Sequence, residues 1–141
     1  MKYLVVSLIS AVFLIGICQA AIPSRKCREL YRAGKITEEC ILQCEYEAYG
    51  FINSKFEIEQ QHIIKYMAVL MKGKVLNERN KKKFQDVFTK CKKRAYHKFP
   101  KGGCGRTNDY YECIVYYSDD DMVIDGKFAD ALIAYDQSLN I

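Results

Sequence analysis

Proline is scarce in this sequence, and strand-like alternation of apolar and polar residues is hard to find. Only Pro23 and Pro100 occur among the 141 residues, and there are no internal repeats or low-complexity tracts. Apolar residues recur instead at helical spacing through most of the chain. We therefore predict an all-α fold, a compact bundle of about six helices.

Long apolar runs are absent after the first twenty residues, so nothing in the later chain predicts a membrane span. The first twenty, MKYLVVSLISAVFLIGICQA, combine a basic Lys2, an apolar run over 4–17 and a small-residue site at 18–20. This order is typical of a cleaved secretory signal peptide. We expect residues 1–20 to be that signal, residues 21–141 to form one helical domain, and the mature protein to be soluble and extracellular.

The cysteine count predicts disulfides. Removing the signal also removes Cys18 and leaves six cysteines: Cys27, Cys40, Cys44, Cys91, Cys104 and Cys113. An even number in a small secreted chain is typical of a framework of three bridges. A zinc site is the alternative, but there is no CxxC pair and no Cys/His set at ligand spacing. Three bridges would leave no free thiol to act as a nucleophile.

No catalytic constellation stands out in the sequence. His62 and His97 have no Ser, Cys or carboxylate partner at a motif spacing. The acidic run 119–121, followed by Asp125, lacks the alternating oxygen positions and closing Glu of a calcium loop, so we interpret it as a polar loop between helices. We predict that the protein is not an enzyme and has no metal site and no cofactor.

Periodicity and capping residues predict six helices. They cover about 24–33, 38–50, 57–72, 77–98, 107–117 and 126–139. The candidate N-caps are Ser24, Thr37, Asn77, either Thr107 or Asn108, and Asp125. The third helix has an apolar stripe of Ile58, Ile63, Ile64, Met67, Ala68 and Met71, and in the sixth we expect Phe128, Leu132 and Tyr135 to face inward.

Charge is distributed in three blocks along the mature chain. Residues 21–71 hold seven basic and seven acidic residues, and residues 72–101 hold twelve basic and two acidic. Residues 107–141 hold one basic residue and eight acidic ones. The sequence alone leaves open whether the acidic block covers the basic one or lies away from it.

The fourth predicted helix concentrates the basic block on one side. Its apolar residues follow the i, i+3, i+4, i+7, i+11 pattern of a core-facing stripe: Phe84, Val87, Phe88, Cys91 and Ala95. The opposite side is almost entirely cationic. An ordinary solvated helix would interleave Glu with Lys, because like charges one turn apart destabilise a helix. We therefore interpret this side as a polyanion-binding surface made by Arg79, Lys81, Lys82, Lys83, Lys90, Lys92, Lys93, Arg94, Lys98 and Lys101.

The cysteine spacing, C-x12-C-x3-C-x46-C-x12-C-x8-C, resembles that of the insect odorant-binding-protein superfamily. The resemblance implies that the first cysteine pairs with the third, the second with the fifth and the fourth with the sixth. On this chain those pairs are Cys27–Cys44, Cys40–Cys104 and Cys91–Cys113. The first gap of twelve residues is shorter than in a typical odorant carrier.

Several stretches resemble the small odorant-binding-protein-like salivary proteins of phlebotomine sand flies. They are the leader, CEYEAYGFI, NDYYEC and the C-terminal KFADALIAYDQSLNI. The resemblance implies secretion into the saliva of a blood-feeding insect. It also implies an anticoagulant action, in which the protein coats sulfated glycans, polyphosphate or anionic surfaces and blocks contact activation of clotting.

A carrier of a small host ligand is the alternative function. A biogenic amine or an eicosanoid would occupy a helical pocket lined by tyrosines such as Tyr110, Tyr111, Tyr116 and Tyr117. The basic helix favours the polyanion interpretation, because a buried pocket needs no cationic exterior. Nucleic acid would fit the same charges but conflicts with secretion into saliva.

Overall fold

The computed structural model describes residues 21–119 and 127–139. Within these two ranges there are six α-helices, one 3-10 turn and no strand, which confirms the predicted all-α fold. The helices are α1 (Pro23–Arg32), α2 (Ile41–Tyr49), α3 (Gln60–Lys72), α4 (Lys81–Lys98), α5 (Cys104–Asp119) and α6 (Lys127–Ser138), and the 3-10 turn is Glu38–Cys40. The predicted signal peptide and Asp125 lie outside the described residues. No helix in the described ranges is both long enough and apolar enough to cross a membrane.

Three disulfides hold the helices together, in the pairing that the family resemblance implied. Cys27–Cys44 joins α1 to α2, and Cys91–Cys113 joins α4 to α5. Cys40–Cys104 joins the 3-10 turn before α2 to the first residue of α5. Each bridge therefore links two different elements, and α5 is attached both to the N-terminal pair of helices and to α4.

Aromatic rings fill the centre of the bundle. The rings of Phe51 and Tyr66 stack with centroids 4.0 Å apart, and Phe88 meets Tyr66 edge-on at 4.9 Å. The hydroxyls of Tyr46 and Tyr66 hydrogen-bond to each other at 2.6 Å, so two polar atoms in the core satisfy one another. Tyr110 is also fully buried. The tyrosines at the centre thus act as packing residues.

The N-terminal ends of the first two helices differ from the predicted caps. Ser24 does not cap α1; its backbone N–H and its hydroxyl both donate to the Asp136 carboxylate of α6, at 2.9 and 2.6 Å. Thr37 makes no side-chain cap bond, and α2 begins at Ile41 after the 3-10 turn instead of at residue 38. The prediction was wrong here because a distant carboxylate and a change of helix type replaced the local cap.

The third helix begins later than predicted and has a different buried face. Residues 57–59 are not helical, and the backbone N–H of Ile58 donates to the Tyr96 hydroxyl of α4 at 2.9 Å. His62 accepts a hydrogen bond from the Glu59 backbone N–H, so this histidine has a structural role at the helix start. Ile64 and Ala68 are exposed, contrary to the predicted stripe, and the buried residues are His62, Ile63, Tyr66, Met67, Val69 and Leu70.

The remaining helices differ from prediction mainly at their starts. Asn77 accepts from the backbone N–H of Arg79 in a turn before α4, which begins at Lys81 and not at residue 77; its end before Phe99 is as predicted. Thr107 does not cap α5, which starts at Cys104; the Thr107 hydroxyl is buried and donates to the Gln43 side chain. Asn108 likewise does not cap it, and its amide donates to the Glu39 carbonyl. As predicted, Phe128 is buried, and Leu132 and Tyr135 pack partly buried against the core.

The last helix of the acidic C-terminal block, α6, packs against α3. Helix α6 contacts the end of α3 so closely that a Cβ placed on Gly73 would lie 2.3 Å from the Ala131 Cβ. Asp136 joins α6 to α1 through Ser24 and accepts the Tyr49 hydroxyl at 2.9 Å. The described part of α6 is therefore attached to α1, α2 and α3.

The disulfides should contribute to stability in the order of the loops they close. The double change Cys40→Ala/Cys104→Ala should lower the free energy of unfolding by about 4 kcal/mol and Cys27→Ala/Cys44→Ala by about 3 kcal/mol, because the loops span 64 and 17 residues and a longer loop restricts the unfolded chain more. Urea unfolding followed by circular dichroism measures both values. The reverse order would contradict the loop-length explanation.

Alkaline pH should unfold the protein through its buried tyrosines. Burial raises the pKa of Tyr46, Tyr49, Tyr66 and Tyr110 above the ordinary value. As the pH rises, the unfolded chain therefore releases these tyrosine protons first, at about pH 10. Stability is retained below that pH and falls above it. We expect helicity and the tyrosinate absorbance of these four buried residues to change together in one cooperative step. Tyrosinate formation by these four residues with helicity intact would contradict this.

Candidate functional site

We call the ten predicted polyanion-binding residues the basic surface: Arg79, Lys81, Lys82, Lys83, Lys90, Lys92, Lys93, Arg94, Lys98 and Lys101. Eight of them belong to α4, and Arg79 and Lys101 lie just before and just after it. Nine of the ten side chains are exposed, and that of Lys92 is half-buried. The structure thus places these cations together along a single helix.

The apolar face of α4 explains the orientation of the basic surface. Phe84, Phe88, Cys91 and Ala95 have no exposed surface, and Val87 packs partly buried against the core. Because this stripe is buried, the positions opposite it must point to solvent. The Cys91–Cys113 bridge fixes that rotation covalently. The helix cannot turn its cations inward without breaking the core and the bridge.

The carboxylate of Asp109, on α5, contacts two residues of the basic surface. Its Oδ1 accepts a hydrogen bond from Arg94 Nη2 at 3.0 Å and from Lys98 Nζ at 2.8 Å. The Asp109 side chain is 2% exposed, whereas those of Arg94 and Lys98 are 44% and 56% exposed. Two members of the basic surface therefore share one buried carboxylate. The sequence counted Asp109 within the acidic block but did not place it beside these two cations.

The N-terminal end of the basic surface also meets acidic residues. Lys81 Nζ lies 3.8 Å from Glu78 Oε1, and both side chains are at least half exposed. Exposed pairs of this kind contribute little to stability and are screened by salt. Asp86 is exposed on α4 itself. These two carboxylates reduce the local positive charge but leave the cationic side chains accessible.

The C-terminal end of the basic surface adjoins a cleft of mixed charge. The Lys92 ammonium lies 5.7 Å from the centre of the Tyr96 ring, and the Arg106 guanidinium lies 4.0 Å from the same ring. A cleft of about 470 Å³ opens beside them. It is lined by Lys55, Lys92, Lys101 and Arg106 but also by Glu57 and Glu59. Two acidic side chains therefore share this cleft with four cations.

Arg106 positions the chain that follows α4, although sequence reasoning did not single it out. Its guanidinium donates to the Phe99 carbonyl at 2.7 and 3.0 Å, to the Pro100 carbonyl at 2.8 Å and to the Phe56 carbonyl at 2.9 Å. The residue is 4% exposed. One buried side chain thus holds the 99–100 turn, which carries Lys101, against residue 56. In the sequence, the signal that could have identified Arg106 was its position between the Gly-Gly pair and the acidic block.

A second group of exposed cations occurs on α1 and the turn after it. Its members are Arg25, Lys26, Arg28, Arg32 and Lys35. The charge-block comparison missed this group because the acidic residues of 21–71 balance it in number. A shorter window centred on α1 would have found it. Glu29 is also exposed on this helix, so acidic and basic residues are interleaved here.

Two clefts bear on the carrier alternative. The larger, about 580 Å³, lies beside the Cys27–Cys44 and Cys40–Cys104 bridges and is lined mainly by α1 and α2. The smaller, about 350 Å³, is lined by Tyr46, Tyr49 and Tyr111 and has the carboxylates of Glu45 and Asp136 at its wall. Burial, together with Asp136, raises the pKa of Glu45, and Arg28 opposes that shift.

The tyrosines predicted to line a pocket lie in different environments. Tyr110 is buried in the core and Tyr111 lines the smaller cleft. Tyr116 is 61% exposed, and the Tyr117 side chain lies outside the described part of the structure. Only Tyr111 of these four therefore lines a cleft among the described residues. Among the described residues there is also no cluster of three His, Cys, Asp or Glu side chains that could hold a metal ion.

Comparison with known proteins identifies the family. The PBP/GOBP family matches residues 18–116. Salivary proteins 15b and 15a of Phlebotomus duboscqi are 36% and 34% identical to the chain over 145 residues, and the whole of each sequence is covered. Ayaconin of Lutzomyia ayacuchensis is 32% identical over 138 residues, which cover 97% of this chain and 92% of Ayaconin. The chain belongs to the PBP/GOBP family, and the predicted resemblance to sand-fly salivary proteins is confirmed.

Replacing Arg106 should loosen the turn after α4. The change Arg106→Lys should lower the free energy of unfolding by about 2–4 kcal/mol, because one ammonium cannot reach three carbonyls in different directions and leaves some of them buried without a partner. Urea unfolding measures the loss. Lys101→Gln, which removes an exposed charge in the same turn, is the control and should change stability little. A loss for Arg106→Lys as small as that of the control would contradict the assigned role.

Proposed function

We propose that this member of the PBP/GOBP family is a secreted salivary protein that coats anionic polymers and surfaces through its basic surface. By covering polyphosphate, sulfated glycans or activating surfaces, it inhibits contact activation of blood coagulation. The observation that carries the proposal is the presence of eight cationic residues on α4 and two more just beyond its ends, with one face of that helix buried and disulfide-bonded. The relatives named as salivary proteins support saliva as the place of action.

The geometry of α4 suits a linear polymer better than a single small anion. The helix has 18 residues, which corresponds to a length of about 27 Å. Cations distributed over that length are able to contact several sulfate or phosphate groups of one chain at the same time. Each contact releases counter-ions condensed on the polymer, as it does for DNA, and this release supplies much of the binding free energy.

The arrangement supports binding and not catalysis. A surface of lysines and arginines offers hydrogen-bond donors and positive charge, but the six cysteines described are all bridged. The two histidines are accounted for separately, since His62 caps α3 and His97 is exposed near the end of α4. Neither belongs to an arrangement of nucleophile, base and orienting group. We propose no enzymatic activity.

A second candidate function is carriage of a small host ligand in the smaller cleft. Tyrosine rings with nearby carboxylates are a suitable environment for the ammonium group of a biogenic amine. Arg28 on the same wall would instead pair with the carboxylate of an eicosanoid. This function uses residues of α1, α2, α5 and α6 and does not involve the basic surface, so the two functions are separable by mutation.

Removing exposed cations of the basic surface should weaken polyanion binding and its dependence on salt. Wild-type protein making about six charge contacts should lose roughly a thousandfold or more in affinity for dextran sulfate between about 50 and 200 mM salt. Replacing Arg79, Lys82, Lys93 and Lys101 with Gln should reduce the salt slope by roughly two-thirds and remove the delay of contact-activated clotting. Helicity should be unchanged, because all four side chains are exposed.

The matched control changes the same number of exposed cations elsewhere. Lys55, Lys72, Lys74 and Lys127 are exposed and lie outside the basic surface. Replacing these four with Gln alters the net charge equally and should leave most of the salt slope and the clotting delay in place. Equal losses in both variants would mean that overall charge, and not the basic surface, determines binding. Loss of amine binding on Tyr111→Ala, with dextran sulfate binding absent in wild type, would favour the carrier.

A further inference from the structure

We infer that Asp109 is an internal counter-ion that commits Arg94 and Lys98 to the fold and thereby limits how much charge the basic surface offers to a polyanion. The inference rests on the proposed function and names the residue that sets its strength. It divides the cations of α4 into two that are held by a buried carboxylate and others that extend into solvent.

Two cationic side chains donate hydrogen bonds to the same carboxylate oxygen of Asp109. Arg94 Nη2 and Lys98 Nζ both donate to Asp109 Oδ1, at 3.0 and 2.8 Å. The other oxygen, Oδ2, is buried and has no hydrogen-bond partner among the described residues. Hydrogen bonding to the Asp109 carboxylate therefore comes through Oδ1 from these two side chains. Together the three residues carry one net positive charge instead of two.

The core prevents Asp109 from moving aside. It precedes Tyr110, which is fully buried, and lies on α5 four residues before Cys113, which is bridged to α4. Thr107, two residues earlier, is buried and bonded to Gln43 of α2. A carboxylate held on such a helix cannot swing out to solvent. Its two cationic partners have to approach it, and they do so from the flank of α4 that faces α5.

A polyanion therefore competes with Asp109 for these two cations. If Arg94 and Lys98 turned fully to a sulfate group, a buried carboxylate would lose its compensating charges, which is strongly destabilising. The two side chains must instead remain shared between Asp109 and any ligand. Lys82 and Lys93 lie on the opposite side of α4 from the core stripe and are exposed. Such residues are free of this competition with Asp109.

The test measures dextran sulfate affinity across a salt series for wild type and three variants. Asp109→Asn keeps the shape of the side chain and removes its charge. We expect it to steepen the salt slope by about one unit and to raise affinity about five- to tenfold near 0.1 M salt. The triple variant Arg94→Gln/Lys98→Gln/Asp109→Asn should flatten the slope by about one unit, whereas Lys82→Gln/Lys93→Gln should flatten it by about two.

Unchanged or weaker binding by Asp109→Asn would overturn the inference; weaker binding would mean that Asp109 orients the two cations for the ligand. Equal flattening by the triple variant and by Lys82→Gln/Lys93→Gln would overturn it as well. Wild type that fails to bind dextran sulfate would refute the proposed function instead.

Stability gives a readout of the counter-ion that does not depend on any polyanion. The double variant Arg94→Gln/Lys98→Gln leaves Asp109 charged and without its cations, whereas the triple variant also removes that charge. We expect the double variant to melt at a lower temperature than the triple variant. If the triple variant melts at the same temperature or lower, the two cations do not compensate Asp109. This comparison still decides the pairing if Asp109→Asn alone folds poorly.

Discussion

The burial of one face of α4 against the rest of the bundle is the constraint on which the other features depend. Phe84, Phe88, Cys91 and Ala95 lie in the core, and the Cys91–Cys113 bridge prevents the helix from rotating. An isolated helix with so many like charges one turn apart would be unstable, because neighbouring cations repel each other. Here tertiary contacts hold the helix in spite of that repulsion. The protein is thus able to present a dense row of cations on a rigid support.

Two acidic residues of the C-terminal block, Asp136 and Asp109, each join one helix to another. Asp136 attaches α6 to α1 through Ser24 and to α2 through the Tyr49 hydroxyl. Asp109 attaches α5 to α4 through two cations of the basic surface. Both carboxylates are buried; Asp136 joins helices that are distant in sequence, and Asp109 joins the consecutive helices α4 and α5. Asp109 is thus one point at which the opposite charges of the two blocks meet, and nine of the ten side chains of the basic surface are exposed to solvent.

Sequence reasoning succeeded where a pattern depends on neighbours along one helix and failed where a polar group had a distant partner. The buried stripe of α4 was predictable because the helical periodicity of its apolar residues extends over about five turns. Ser24 and Thr107 look like caps by local criteria, yet each bonds to a residue on another helix. Just before α3, which begins later than predicted, the Ile58 N–H likewise donates to the Tyr96 hydroxyl of another helix. Such competition is invisible in a window of adjacent residues.

By itself the sequence determined the all-α class, the cysteine spacing, the apolar face of α4 and the concentration of cations opposite it. These properties follow from composition and from a period of about 3.6 residues, which adjacent positions encode completely. Only the tertiary structure decided that Asp109 holds Arg94 and Lys98, that Arg106 fixes the turn after α4, and that aromatic rings fill the centre. Those outcomes depend on which helices pack together and at what separation. A charge or a ring has a different role according to the partner that packing brings within a few ångströms of it.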